Sequence, residues 1–251
     1  MGTKIYFASD FHFGIPDHDS SLVREELFVK WLDQVKQDAV DIYLMGDLFD
    51  FWFEYKTVVP KGYVRILGKL AELVSSGIQI HLFRGNHDMW AFDYLTKEVG
   101  IHLHRDPEIA EFFGTKFYLA HGDGLGPGDH GYKLIKKVFA CRFNQWLFRM
   151  IHPDLGIRMG LYWSRKSRNA VLSKNNREEY EKRMISERLT VHSTVELLLH
   201  PEIRFFIYGH LHYPWDQKIN EKVRQISLGD WLTHFTYAVF DGKETQLLRF
   251  Q

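Results

Sequence analysis

Apolar residues recur along this chain in two rhythms. Short β-rich runs read as strands: Ile5-Tyr6-Phe7-Ala8, Ile42-Tyr43-Leu44-Met45, Ile78-Gln79-Ile80-His81-Leu82-Phe83, Phe117-Tyr118-Leu119-Ala120 and Phe205-Phe206-Ile207-Tyr208. Helical spacing separates the first of them. Leu22, Leu27, Phe28, Trp31, Leu32 and Val35 predict a helix over 22–37. Val64, Leu67, Leu70, Leu73 and Val74 predict another over 62–76, stopped at Gly77, and 89–99 is expected to form a third. Strands alternating with helices imply a largely parallel sheet. Near the end, Val223 to Leu228, Thr236 to Phe240 and Thr245 to Phe250 read as strands, with Asp241-Gly242 as a hairpin turn. The expected fold is α/β, a mixed-sheet sandwich ending in antiparallel strands.

The middle breaks this rhythm. Between His121 and Phe205 no strand pattern stands out, and much of 130–199 reads as helix. Residues 130–177 hold eleven Lys and Arg against one acid, Asp154, a local net charge of +10. They also hold seven aromatics: Tyr132, Phe139, Phe143, Trp146, Phe148, Tyr162 and Trp163. This is a local anomaly, because Lys+Arg and Asp+Glu are 32 each over the 251 residues. Overall charge therefore implies no polyanionic partner such as nucleic acid. The length suits one domain, 1–251, with 127–199 as a helical insertion. The sole cysteine, Cys141, excludes an internal disulfide, as in a reducing compartment. Strand-like sequence begins at Lys4 without a basic leader, so no export signal is expected, and no apolar run is long enough to span a bilayer.

Chemistry enters at the ends of the strands. Just after each of the five runs lies a polar cluster: Asp10-Phe11-His12, Gly46-Asp47-Leu48-Phe49-Asp50, Gly85-Asn86-His87-Asp88, His121-Gly122-Asp123 and Gly209-His210-Leu211-His212. Open α/β sheets build their sites at the carboxyl ends of strands, so five distant clusters can share one rim. Asp-x-His and His-x-His put residues i and i+2 on the same side while the chain stays extended. Aspartate, histidine and asparagine suit Mn²⁺, Fe²⁺ or Zn²⁺. Each motif alone is common by chance; five in a row, each after a strand, point to a metal centre. Gly46, Gly85 and Gly209 would permit unusual backbone angles or close approach to the ions. His81, His102, His104, His192, His200 and His234 lack such context and read as structural or surface residues.

In this order the clusters resemble the calcineurin-like metallophosphoesterases. Gly46-Asp47-Leu48-Phe49-Asp50-Phe51-Trp52, His121-Gly122-Asp123-Gly124-Leu125 and Ser227-Leu228-Gly229-Asp230-Trp231 narrow the likeness to the bacterial UDP-2,3-diacylglucosamine diphosphatases of lipid A synthesis. Those enzymes typically carry arginine where this chain has His87. The resemblance implies two divalent ions, Mn²⁺ first among candidates. One would be held by Asp10, His12 and His212, the other by Asn86, His121 and His210, with Asp47 as the bridge. His87 would act as a general acid or phosphate donor, and Asp50, Asp88 and Asp123 would orient ligands. The implied reaction is hydrolysis of a nucleotide-sugar lipid at its pyrophosphate. It would take place in the cytoplasm, peripheral to the inner membrane of a Gram-negative bacterium.

The insertion has three readings: core aromatics with a solvated basic face, a cap gripping phosphate and acyl chains, or a helix at an anionic lipid surface. As a cap, its aromatics would line an apolar cleft, and Arg165, Lys166 and Arg168 would face the diphosphate. Two rival functions use the same scaffold. One is a nucleotide phosphodiesterase or nuclease. The other is a non-catalytic adaptor, against which the complete set of seven ligands argues.

Overall fold

The computed structural model describes residues 2–172 and 177–250, with side chains outside 167–185. Two sheets pack face to face. The first has the order β11-β10-β1-β2-β3-β4, built from Lys4–Ala8 (β1), Ala39–Leu44 (β2), Gln79–Phe83 (β3), His102–His104 (β4), Thr236–Phe240 (β10) and Thr245–Arg249 (β11). The second has the order β5-β6-β7-β9-β8, from Glu108–Phe112 (β5), Thr115–Ala120 (β6), Ile203–Tyr208 (β7), Pro214–Lys218 (β8) and Arg224–Leu228 (β9). β1 to β4 are mutually parallel, as are β6, β7 and β9; β10, β11, β5 and β8 join antiparallel.

Period-two alternation decides which side chain enters which layer. From β1, Ile5 and Phe7 point into the core between the sheets, with Tyr43, Phe117, Phe205 and Phe240. Tyr6 and Ala8 point outward, where His18–Val35 (α1) and Val64–Ser75 (α2) cover them with Phe28, Trp31, Leu70 and Leu73. Both faces are covered, so the strand reads as continuously apolar. Full burial of Phe7 or Phe28 stabilises by about 1.5–3 kcal/mol each, so these layers hold the sandwich closed. Among the described residues between β6 and β7 run four helices: His130–Ala140 (α3), Arg142–Arg149 (α4), Pro153–Leu172 (α5) and Arg177–Leu199 (α6).

The expected hairpin forms at Asp241-Gly242, where Asp241 Oδ1 accepts from the N–H groups of Lys243 and Glu244 at 2.9 Å each. The expected helix over 89–99 does not form. Its only helical part is a π-turn, Leu95–Val99. Trp90 bridges to Phe53 instead and joins an aromatic cluster, and the buried Glu54 carboxylate accepts from the N–H groups of Asp93 and Tyr94, fixing where the turn begins. β4, β5 and β8 were not expected. They are short edge strands of mixed polarity, a pattern that suits an edge and hides it from periodicity.

Candidate metal centre

β1, β2 and β3 of one sheet and β6 and β7 of the other stop at a common edge. Backbone bonds stitch their exit turns together: Asp10 N–H donates to Gly46 C=O (3.1 Å), Phe11 and His12 N–H to Asp47 C=O (3.0 Å each), and Gly209 N–H to His121 C=O (2.9 Å). The exits are not extended. Asp10, His12, Asp47, His210 and His212 have φ of 57°, 45°, 52°, 65° and 54°. The i, i+2 convergence therefore comes from left-handed turns, not from pleating. Such angles are costly for residues with a Cβ and persist only where the surroundings enforce them. Gly46 shares this conformation (φ 102°). Gly85 and Gly209 serve close approach instead, since a Cβ there would collide with the Asp47 side chain or with Ser9 and Asp10.

Two groups of side chains meet across Asp47. Asp10, His12, Asp47 and His212 form one, and Asp47, His121 and His210 the other, each with candidate ligand atoms within 4.8 Å of one another. Asp47 Oδ2 lies 3.6 Å from His12 Nε2 and 3.4 Å from His121 Nε2. Asn86 Oδ1 is 3.3 Å from His121 Nε2. His12 Nε2 and His212 Nε2 face each other at 3.2 Å, and Asp10 Oδ1 is 3.3 Å from His212 Nε2. All seven expected ligands thus share one small volume.

The carboxylates are divided in use. Asp10 Oδ2 accepts from His210 N–H and Asp47 Oδ1 from His87 N–H, both at 2.8 Å. Asp10 Oδ1 and Asp47 Oδ2 are buried with no hydrogen-bond partner. A buried bare carboxylate oxygen is expensive, and both oxygens face imidazole nitrogens, as a cation site requires. The histidines are oriented from behind. His121 Nδ1 bonds Met45 C=O at 2.7 Å, leaving Nε2 for the centre. His12 Nδ1 lies 3.4 Å from Asp50 Oδ1, and His212 Nδ1 lies 3.6 Å from Asp230 Oδ2. Asp88 braces the loops, accepting from Gly85 and Leu48 N–H. Asp230 is the residue sequence reasoning missed in this role. Its signal was Gly229-Asp230 after a further strand end, β9.

Charge follows the same logic. Burial lowers His12 and His121, but the Asp10, Asp50 and Asp47 carboxylates outweigh it, lifting His12 to about 9 and, chiefly through Asp47, His121 to about 10. Burial pushes Asp47 up, and the surrounding histidines, His121 foremost, hold it well below the usual carboxylate range. Burial and His121 push His210 down to about 4. The site demands positive charge, and divalent ions would displace the protons that otherwise supply it. The donor set fits two such ions.

His87 bonds Asp50 C=O through Nδ1 (2.7 Å) and sets its ring edge-on to His12, with centroids 4.7 Å apart. Burial lowers its pKa. On the far side, Tyr132 Oη donates to Asp123 Oδ2 (2.6 Å), and Lys136 Nζ pairs with the same oxygen (2.6 Å), tying α3 to the rim. α5 docks through Gly156, Gly160 and Ser164, one residue per turn. Gly156 packs on Tyr55, Gly160 on Phe51, and Ser164 Oγ donates to Asp50 Oδ2 at 2.8 Å. Arg165 and Lys166 are exposed, and Arg168 lies outside the described side chains. The aromatics do not line one apolar cleft. Phe148 is buried against Phe53 and Trp90, with Phe139 packed beside it, while Phe143, Trp146, Tyr162 and Trp163 are exposed.

The family model for calcineurin-like phosphoesterases matches residues 3–214. The chain belongs to the calcineurin-like phosphoesterase family. With its clustered metal-ligand residues it is a metal-dependent hydrolase of phosphoesters or phosphoanhydrides. It is 36% identical to a UDP-2,3-diacylglucosamine hydrolase of Porphyromonas gingivalis over 96% of this phosphoesterase and 95% of that protein. A protein of the same name from Pseudomonas fluorescens is 28% identical over 88% and 90%. Among solved structures, Yfce, a phosphoesterase from E. coli, aligns with TM-score 0.49 and 13% identity, covering 99% of this chain and 93% of that one. Among the described residues no helix of the phosphoesterase is long and apolar enough to cross a membrane.

Proposed function

We propose that this phosphoesterase hydrolyses the pyrophosphate of UDP-2,3-diacylglucosamine, giving UMP and 2,3-diacylglucosamine 1-phosphate. The observation that carries the reading is similarity to hydrolases named for that substrate along nearly the whole of both chains. Asp10, His12 and His212 are the proposed ligands of one ion, and Asn86, His121 and His210 of the other, with Asp47 shared. Mn²⁺ is the proposed native ion, and the same donors suit Fe²⁺ and Zn²⁺. When bound, two such ions neutralise phosphoryl oxygens and bring the pKa of water close to 7.

The chain's own residues set the geometry. Asp47 keeps the two ligand groups in register through Oδ2 while Oδ1 stays fixed on His87 N–H. His87 gives its Nδ1–H to Asp50 C=O, so its Nε2 would donate to or protonate a phosphoryl oxygen as the imidazolium, the form that an incoming anionic phosphate favours against burial. The segment 127–199 is the proposed cap, with Arg165, Lys166 and Arg168 as phosphate donors beside the Ser164 anchor. Leu134, Ile135, Val138, Phe143, Leu147 and Met150 are exposed on or beside α3 and α4, with Lys137 among them. That surface supports work at an anionic bilayer, so we place the protein at the cytoplasmic face of the inner membrane. The test is UMP release with Mn²⁺ from UDP-2,3-diacylglucosamine and from UDP-N-acetylglucosamine. The lipid substrate should be favoured at least about 100-fold in kcat/KM, since each buried CH₂ contributes about 0.8 kcal/mol. Equal values would reject the lipid reading.

A further inference from the structure

A cavity of about 780 Å³ opens beside His121, and the metal ligands do not account for it. Its size is that of a small-molecule site. Residues 83–85 at the end of β3, 105–107 between β4 and β5, and 120–123 at the end of β6 form one side; α3 and α4 close the other.

Four arginines line it: Arg84, Arg105, Arg142 and Arg149. Among the described residues none of them is ion-paired with a carboxylate. Arg84 gives Nη1 to Met89 C=O at 2.9 Å, and its Nε is buried without a partner. Arg105 Nη2 reaches Phe92 C=O at 3.4 Å, and the Arg149 guanidinium lies 5.5 Å from the centre of the Phe92 ring. Most carboxylates of the lining are engaged elsewhere. Glu54 accepts from Trp52 Nε1 and two backbone N–H groups, Asp93 pairs with Lys97, and Asp123 holds Tyr132 and Lys136. Phe92 and Trp146 add flat aromatic surface.

Acyl chains fit such a space poorly, because methylenes would cover guanidinium donors and leave them unpaired. A nucleoside phosphate answers each feature. Its phosphate and ribose oxygens take arginine N–H groups, and its base stacks on an aromatic or guanidinium plane. The cavity also touches Gly85 and His121, on the Asn86–His121–His210 side of the centre. We infer that it receives the nucleotide half of the substrate, a pyrimidine nucleoside 5′-phosphate, so that the anhydride spans the rim and the lipid half leaves on the His12 side. This rests on the proposed substrate and adds its direction in the site.

Arg142 and Arg149 are exposed, so replacing both by alanine leaves the core intact. Calorimetry on Mn²⁺-loaded protein should show UMP binding weakened about 30-fold or more in Arg142→Ala/Arg149→Ala, as loss of two charge-assisted contacts predicts. Inorganic phosphate and 2,3-diacylglucosamine 1-phosphate should each change by less than about threefold, because neither carries a nucleoside to reach these arginines. Unchanged UMP affinity overturns the inference, as does a lipid-phosphate loss equal to that of UMP. The measurement needs no turnover. A protein that fails to cleave the UDP-lipid yet loses UMP affinity in the double variant refutes the substrate and upholds the nucleotide cavity.

Discussion

The metal rim and the helical segment over it are built by opposite means. The rim consists of short side chains, buried or half-buried, on turns that immediately follow strands, with backbone bonds between one turn and the next. Among the described residues the helical segment is mostly exposed, and its anchors on the rim include Tyr132 and Lys136 on Asp123 and the Gly156–Gly160–Ser164 row on the 50–55 loop. Two cations close together tolerate little error in ligand position, which rigid strand ends provide. A substrate surface needs area and adjustable chemistry, which helices held at a few points provide without disturbing the ligands. The division explains how one catalytic centre can serve many substrates.

The largest expected effect is a break in the rim itself. Asp47→Ala removes the one carboxylate common to both ligand groups. Activity should fall to background, and metal content measured by inductively coupled plasma mass spectrometry should drop from two ions to one or none. Two ions with full activity in that variant would dissolve the rim as described. His87→Ala comes next. It should retain two ions and lose about 10²–10⁴-fold in kcat, the usual cost of a positioned proton donor. Metal loss would make His87 a ligand, and an unchanged rate would leave it without a catalytic part.

The same contrast governs what could be read from the sequence. The gathering of these side chains on one rim was legible because each candidate ligand follows an apolar run and the order of clusters is itself informative. Its left-handed turns were not legible, since Asp10, His12, His210 and His212 carry side chains that ordinarily avoid that conformation. The helical nature of the described residues of 130–199 was legible, but their anchoring was not. Arg165, Lys166 and Arg168 drew attention by charge, whereas among the described side chains of that stretch the one bonded to the rim loop is Ser164, between Trp163 and Arg165. Gly156 and Gly160, four apart, were the available signal, and charge density obscured it. The helix expected at 89–99 failed because Glu54 and Phe53, far away in sequence, hold that segment open.

A smaller effect should come from Gly160→Ala. A Cβ there would run into the Phe51 ring, and overpacking of this kind costs about 1–3 kcal/mol. The melting midpoint should fall by roughly 2–10 °C. If cap and rim are separable, kcat/KM for the UDP-lipid should fall about tenfold while cleavage of a small chromogenic diester with Mn²⁺ persists. Equal losses on both substrates would show that α5 supports the chemistry itself.

The smallest effect is also the sharpest test of the comparison, because Ser164 joins the two regions. Its hydroxyl donates to Asp50 Oδ2, while Asp50 Oδ1 lies 3.4 Å from His12 Nδ1 and the Asp50 carbonyl accepts from His87. Ser164→Ala therefore removes one donor from a buried carboxylate that steadies two residues of the rim. Loss of a hydrogen bond to a charged group costs about 1.5–3 kcal/mol, and only part of that should reach the reaction. A fall of about 3–10-fold in kcat is expected, equal for the chromogenic diester and the UDP-lipid, because the disturbance passes through His12 and His87 and not through a substrate contact. Ser164→Thr, which keeps the hydroxyl, should recover most of the rate. A fall confined to the UDP-lipid would instead make Ser164 part of the substrate surface, and the boundary between rim and cap would then run beneath Asp50.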